Sequence, residues 1–246
     1  MTERPLEGRV ALVTGASRGI GAAVAKELGR LGAHCVLVAR TQGGLEETDD
    51  AIRAAGGAGA TLLPFDLVKQ AREMDAIGPS IVERFGRLDI LVHAAGALGR
   101  LTPVAHIQPA DWDTAMGVNI AAAWRLIRTC DPPLRAAEAG RAVLLTSVRA
   151  QEPRAFWGLY GASKAALDYL AACWAQEVAH TRLRVNLFDP GAVASHLRST
   201  AFPGEDPRTL PQPADVAPAI AALCLPAEAR HGATVRLGIA AASHAE

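Results

Sequence analysis

Short apolar runs of strand length alternate along this chain with longer segments that carry helix-forming residues. The runs are residues 9–14, 33–40, 60–65, 88–93, 142–145, 183–188 and 234–237. Most read Val/Leu/Ile/Ala almost without polar interruption, the pattern of strands buried on both faces. Between them, residues 22–28, 45–55, 69–85, 109–136, a segment from Gly158 onward and 215–225 read as helices. The pattern predicts an interruption at Gly78-Pro79 and an end or bend at Asp131-Pro132-Pro133. Strands alternating with helices predict an α/β fold: a Rossmann-like, doubly wound sheet of about seven parallel strands, helices on both faces, in one domain over residues 1–246. Ligands of such sheets bind beyond the strand C-termini. Residues 192–212 lack periodicity and include Pro203, Pro207 and Pro211, which reads as a lid over that crevice.

The first strand and helix are joined by Gly15-Ala16-Ser17-Arg18-Gly19-Ile20-Gly21. Glycines in a strand–turn–helix connection let backbone amides approach a pyrophosphate, whose charge the helix N-terminus favours. The spacing is Gly-x-x-x-Gly-x-Gly, distinct from Gly-x-Gly-x-x-Gly. The second run ends in Ala39-Arg40, where an acid would bind the free ribose hydroxyls of NAD. Arg40 with Arg18 would instead hold a 2′-phosphate, so NADP(H) is the expected cofactor and NAD(H) the alternative. Asp66-Leu67 follows the third run, where a carboxylate can meet an adenine amine.

A second chemical constellation follows the fifth run. Ser147 closes the strand; Tyr160 and Lys164, four residues apart, share a face of the next helix. A phenol titrates near ~10 in water. A neighbouring ammonium favours the phenolate, so Lys164 is expected to lower Tyr160 and fit it for proton exchange with a carbonyl or alcohol oxygen that Ser147 also binds. Of the 25 Lys+Arg residues only Lys26, Lys69 and Lys164 are lysines, which makes a lysine at this spacing harder to ascribe to chance. Asn119, one of two asparagines, lies mid-helix, where its propensity is poor; it satisfies local backbone or holds a water.

The remaining composition excludes other classes. Net charge is zero, which argues against nucleic acid as a partner. Cys35, Cys130, Cys173 and Cys224 are scattered, as are the seven histidines, so neither a metal site nor a disulfide framework is expected. No signal-like or membrane-spanning apolar stretch is read, and a reducing, cytoplasmic setting is expected.

Taken together, these residues resemble the short-chain dehydrogenase/reductase family, over residues 10–238. Thr14 to Gly21 is similar to its cofactor loop, Asp66-Leu67 to its adenine-contact pair, and Asn119, Ser147, Tyr160 and Lys164 to its catalytic tetrad in order and spacing. Pro190-Gly191 and Ser195 resemble its nicotinamide-amide segment. The resemblance implies cofactor contacts from Gly15, Ser17, Arg18, Gly19, Ile20, Gly21, Arg40, Asp66, Leu67, Ala95, Tyr160, Lys164, Pro190, Gly191, Val193 and Ser195. It implies a small-molecule carbonyl or alcohol substrate and a homodimer or homotetramer. Two motifs depart: Asn-Asn-Ala-Gly is here His93-Ala94-Ala95-Gly96, and Asp-Gly-Gly is replaced by Arg236-Leu237-Gly238. Competing readings are a 3-oxoacyl thioester reductase, for which Arg198 and Arg208 would supply a basic carrier surface, and a non-catalytic NADP(H) sensor or scaffold.

Overall fold

The seven apolar runs pair into one sheet. In the structure, a computed structural model that describes residues 4–237, the strands are β1 Val10–Thr14, β2 His34–Ala39, β3 Ala60–Pro64, β4 Ile90–His93, β5 Arg141–Leu145, β6 Arg184–Asp189 and β7 Thr234–Arg236. They lie in the order β3-β2-β1-β4-β5-β6-β7, and every neighbouring pair is parallel. The chain steps outward from β1 to β3, then returns to the other side of β1 and continues to β7. The connections reverse direction between β1 and β4, so the ligand crevice of such a sheet falls beyond their C-termini. Of the expected C-terminal departure, Gly238 lies outside the described residues.

Alternate side chains of each strand feed two cores. On β1, Val10 and Leu12 join α3 (Ile77–Phe85), α5 (Ala122–Ala136) and α6 (Gly158–Glu177). Ala11 and Val13 face α1 (Gly19–Arg30), α2 (Gln42–Ala54) and α8 (Pro213–Ala222). This two-sided burial is why the strands lack a polar alternation.

Three local expectations are corrected. Residues 69–72 are turns, because the Asp66 carboxylate accepts from the backbone of Val68 and Lys69 and holds the chain out of a helix. A 3-10 turn, Glu73–Ala76, then leads into α3, with no break at Gly78-Pro79. Pro79 falls in the first turn, where its missing N–H loses no bond. Gly78 lets α3 close against Thr129, whose carbonyl a Cβ would strike. Finally, α5 runs through Pro132 and Pro133 to Ala136. Leu134 is fully buried there, and Trp174 donates to Asp131 at 2.8 Å, which together hold the last turn despite two lost backbone bonds.

The long segment from Pro109 is also not one uniform helix. α4 (Pro109–Met116) passes through a π turn, Gly117–Ala121, into α5. Asn119 sits in that turn, fully buried. α7 (His196–Ala201) and a 3-10 turn at Pro207–Thr209 occupy the segment read as aperiodic.

Candidate active site

The glycine loop is built for close backbone approach. Gly15 and Gly19 have φ of 66° and 58°, which glycine adopts without strain. A Cβ on Gly15 would come within 2.8 Å of Ala95 N, and one on Gly21 would strike the Gly15 carbonyl. Around Gly19 a Cβ would meet nothing within 4 Å, so this amide faces open space at the start of α1. No side chain caps α1 and its first turn holds no acid, so the positive end of the helix dipole is free for an anion. Ser17 packs under Gly44 of α2, and Ile20 packs against the core. Arg18 and Arg40 are exposed, with no ion-pair partner among the described residues. Backbone donors, led by Lys69, and the nearby Arg40 hold the Asp66 carboxyl below its usual range; Leu67 is buried beside it.

The His93-Ala94-Ala95-Gly96 departure has a physical counterpart here. His93 Nδ1 lies 2.8 Å from Thr14 Oγ1, which also accepts from Ala95 N at 3.3 Å. The next turn is held by Asn119: Oδ1 accepts from Ala97 N and Nδ2 donates to Ala97 O and Ser163 Oγ, each at 2.8 Å. The loop after β4 is thus fixed from β1 and from the π turn. His93 is fully buried, and its pKa falls to about 3, chiefly from burial and then from the Lys164 charge. The proton of the neutral ring belongs on Nε2, which faces the Val118 carbonyl without reaching hydrogen-bonding distance.

Ser147, Tyr160 and Lys164 converge where β5 ends and α6 begins. Ser147 is extended (φ −158°, ψ 148°) and caps a 3-10 turn, Val148–Ala150. Its hydroxyl also lies near enough to the phenol to favour the phenolate. Lys164 Nζ donates to Leu145 O at 2.8 Å and sits 5.9 Å from the Tyr160 ring centre. Burial lowers Lys164 to about 8, opposed by Asp168. For Tyr160 the expected lowering is not met: burial pushes the phenol up to about 12, with Asp189 and Asp168 adding to it and Ser147 opposing. The reason is a lid of apolar side chains. Leu98 and Trp157 are buried with Tyr160, and Phe202 stacks on Trp157 at 5.7 Å. Phe156, at φ 72°, is the one described non-glycine residue in left-handed backbone and precedes Trp157 directly.

Pro190 and Gly191 follow β6, where Gly191 N donates to Asp189 Oδ1 at 3.0 Å. Val193 is buried, and Ser195 caps α7 by accepting from Arg198 N at 3.2 Å. All the sequence-derived residues therefore border the C-terminal edge of the sheet. Residue patterns marked His93 as a motif departure but did not reveal Trp157, Phe202 or Asp168; of these only Asp168 carried a signal, its place one helical turn after Lys164. Arg198 is paired with Glu205 and Arg208 with Asp206, and Arg208 stays exposed on the surface. Among the described residues no group of His, Cys, Asp and Glu is placed to hold a metal ion, and no helix is long and apolar enough to cross a membrane.

A parallel sheet with a glycine turn at its switch point and a Ser/Tyr/Lys group at its C-terminal edge defines a nucleotide-fold oxidoreductase. A family model described as short chain dehydrogenase matches residues 9–206. The chain belongs to that family, an oxidoreductase family. It is 36% identical over 214 residues to the uncharacterized oxidoreductase YciK of Escherichia coli K12, spanning 87% of this chain and 84% of that one. The solved E. coli yciK oxidoreductase superposes at TM-score 0.90 with 33% identity, over 96% of this chain and 97% of the other. A Shigella flexneri structure in complex with NADP gives TM-score 0.90 and 33% identity over 96% and 99%.

Proposed function

We propose that this enzyme is an NADP(H)-dependent oxidoreductase that interconverts a small carbonyl compound and its secondary alcohol, with Tyr160 as proton donor in the reductive direction. The carrying observation is a phenol held protonated by burial, next to Ser147 and Lys164, at the crevice that the glycine loop opens. The cofactor reading draws on the relative solved with NADP and on two unpaired guanidiniums, Arg18 and Arg40, beyond an uncapped helix N-terminus. Bound there, NADPH would supply the hydride that reduces the carbonyl carbon.

The chain's own groups do the rest. Gly15, Ser17, Gly19, Ile20 and Gly21 present backbone to the pyrophosphate; Arg18 and Arg40 hold the 2′-phosphate; Asp66 and Leu67 meet the adenine; Ala95, Pro190, Gly191, Val193 and Ser195 line the nicotinamide end. Ser147 orients the carbonyl oxygen and Tyr160 transfers its proton to it. Lys164, about 6 Å from the ring centre, stabilises the phenolate left behind. Asn119 keeps the loop after β4 in place through Ala97. Residues 192–212, with Phe202 over Trp157, form the lid that excludes water.

NADPH oxidation with a panel of diketones, quinones and aldehydes tests this. Tyr160→Phe should cost roughly 10²–10⁴ in kcat while NADPH binding, followed by fluorescence, is kept. A mutant that retains most of its turnover removes Tyr160 from the role.

A further inference from the structure

Outward from Tyr160 the crevice is walled by aromatic rings, and guanidiniums stand against those rings. Trp157 meets Tyr160 edge to face at 5.9 Å, and Phe202 lies 5.7 Å from Trp157. Arg149 Cζ is 5.9 Å from the Trp157 ring centre. Arg154 Cζ and Arg198 Cζ are 5.9 and 3.8 Å from that of Phe202. The Arg198 charge is answered by Glu205. Arg149 donates only to a backbone carbonyl, Glu152 O, at 3.2 Å, and neither it nor Arg154 makes an ion pair among the described residues. Glu152, the one acid between Ser147 and Lys164, is exposed and pairs with neither. At 5.9 Å both stand near the ~6 Å limit of cation–π attraction, so stacking accounts for little of their placement. The chain as a whole is neutral, so this excess of positive charge is local. It is also well anchored: Arg149 N donates to Ser147 Oγ at 3.3 Å, and the Arg149 carbonyl leaves no room for a Cβ on Gly161, the residue after Tyr160.

We propose that Arg149 and Arg154 select the substrate, a ketone with an aromatic body and a carboxylate at its far end. The inference rests on the oxidoreductase reading above and names its substrate class. The order of surfaces sets the order of groups in the ligand. The carbonyl reaches Ser147 and Tyr160. The planar body lies along Trp157, once Phe202 lifts from that ring to admit it. The carboxylate meets the two guanidiniums, whose planar donors match its two oxygens. A carboxylate closer to the phenol would lie unpaired among Leu98, Trp157 and Phe202, where burial of a charge is costly. The bond changes are those already given: hydride passes from NADPH to carbon and the Tyr160 proton to oxygen. The carboxylate is unchanged by the reaction, so the arginines hold substrate and transition state alike and act chiefly on KM.

Binding and turnover test this separately on the full chain. The probes are 4-acetylbenzoate, 4-acetylphenylacetate and 3-(4-acetylphenyl)propanoate, each compared with its methyl ester, so that three arm lengths are sampled. With NADP+ present, which permits binding without reduction, calorimetry should show at least one acid binding roughly tenfold or more tighter than its ester. That preference should shrink as salt is raised. If no acid binds better than its ester, the proposal is overturned. Arg154 is exposed, so the fold bears its replacement. Arg154→Glu should abolish the preference for the acid and favour 4-acetylphenyltrimethylammonium over it, a gain that misfolding cannot imitate. Arg149→Met should raise KM for the acid at least roughly tenfold, with Arg149→Lys recovering part of the loss. An acid preference that survives both Arg149→Met and Arg154→Glu overturns the assignment. Where the wild type reduces neutral carbonyl compounds but does not favour the acids, this proposal alone fails. Where the acids bind through the arginines yet NADPH reduces neither them nor the earlier panel, the oxidoreductase reading fails and the proposal falls with it.

Discussion

His93 makes the stability of the fold depend on acid in a way that one substitution isolates. The ring is fully buried between Thr14 and the π turn, and its pKa is lowered from 6.5 to about 3. In the unfolded chain it titrates at its ordinary value. Above pH 6.5 both states hold it neutral and its contribution is complete. As pH falls from 6.5 toward 3, the unfolded chain gains a proton that the folded chain refuses, so stability is lost progressively. Between pH 8 and pH 5 the unfolded state gains about 1.5 units' worth of protonation, or about 2 kcal/mol at 1.36 kcal/mol per unit. His93→Asn cannot titrate there and should escape that loss. Its packing defect is the same at both pH values and cancels in the comparison, as do the other histidines and carboxylates. Urea denaturation of both proteins at pH 8 and pH 5 gives the difference of differences. With a slope of about 2–3 kcal/mol per M, the wild-type midpoint should drop roughly 0.7–1 M further than the mutant's. Parallel pH dependences in the two proteins would refute a neutral, buried His93.

Two other expectations concern cofactor choice and assembly. If Arg18 and Arg40 bind a 2′-phosphate, NADPH should bind more tightly than NADH, and Arg40→Asp should reverse the order, a shift of roughly 2–4 kcal/mol; equal wild-type affinities by fluorescence titration would dismiss the clamp. The apolar residues Leu167, Ala171 and Trp174 of α6 are spent on the protein's own core; Trp112 on α4 (44% exposed), Trp124 on α5 (45% exposed) and Tyr169 on α6 (76% exposed) are among the large apolar side chains that a second copy would cover. Light scattering should show a dimer or tetramer at micromolar concentration, with Trp124→Glu weakening it, and a monomer in the wild type would contradict this.

The apolar runs made the strands legible, because a strand buried on both faces needs no partner information to be recognised: Val10 to Val13 and Ile90 to Val92 are apolar whatever they pack against. The glycine loop was equally local, since positive φ at Gly15 and Gly19 is a property of the turn itself. Tyr160 and Lys164 share a face by helical period alone. Sequence signals of helix ending were less secure. Asp131-Pro132-Pro133 reads as an end or a bend; the end is not met, because the burial of Leu134 and the Trp174–Asp131 bond carry α5 past it. Only the tertiary structure decided the electrostatics. An ammonium four residues away predicts a lowered phenol, but Trp157 and Leu98, with Phe202 stacked over Trp157, come from three separate segments to dehydrate Tyr160, and burial raises it against the hydrogen bond from Ser147. The same holds for His93: the sequence marks it as a departure after the fourth strand, but burial beside Thr14 and the Lys164 charge, which come from other segments, are what keep its ring neutral.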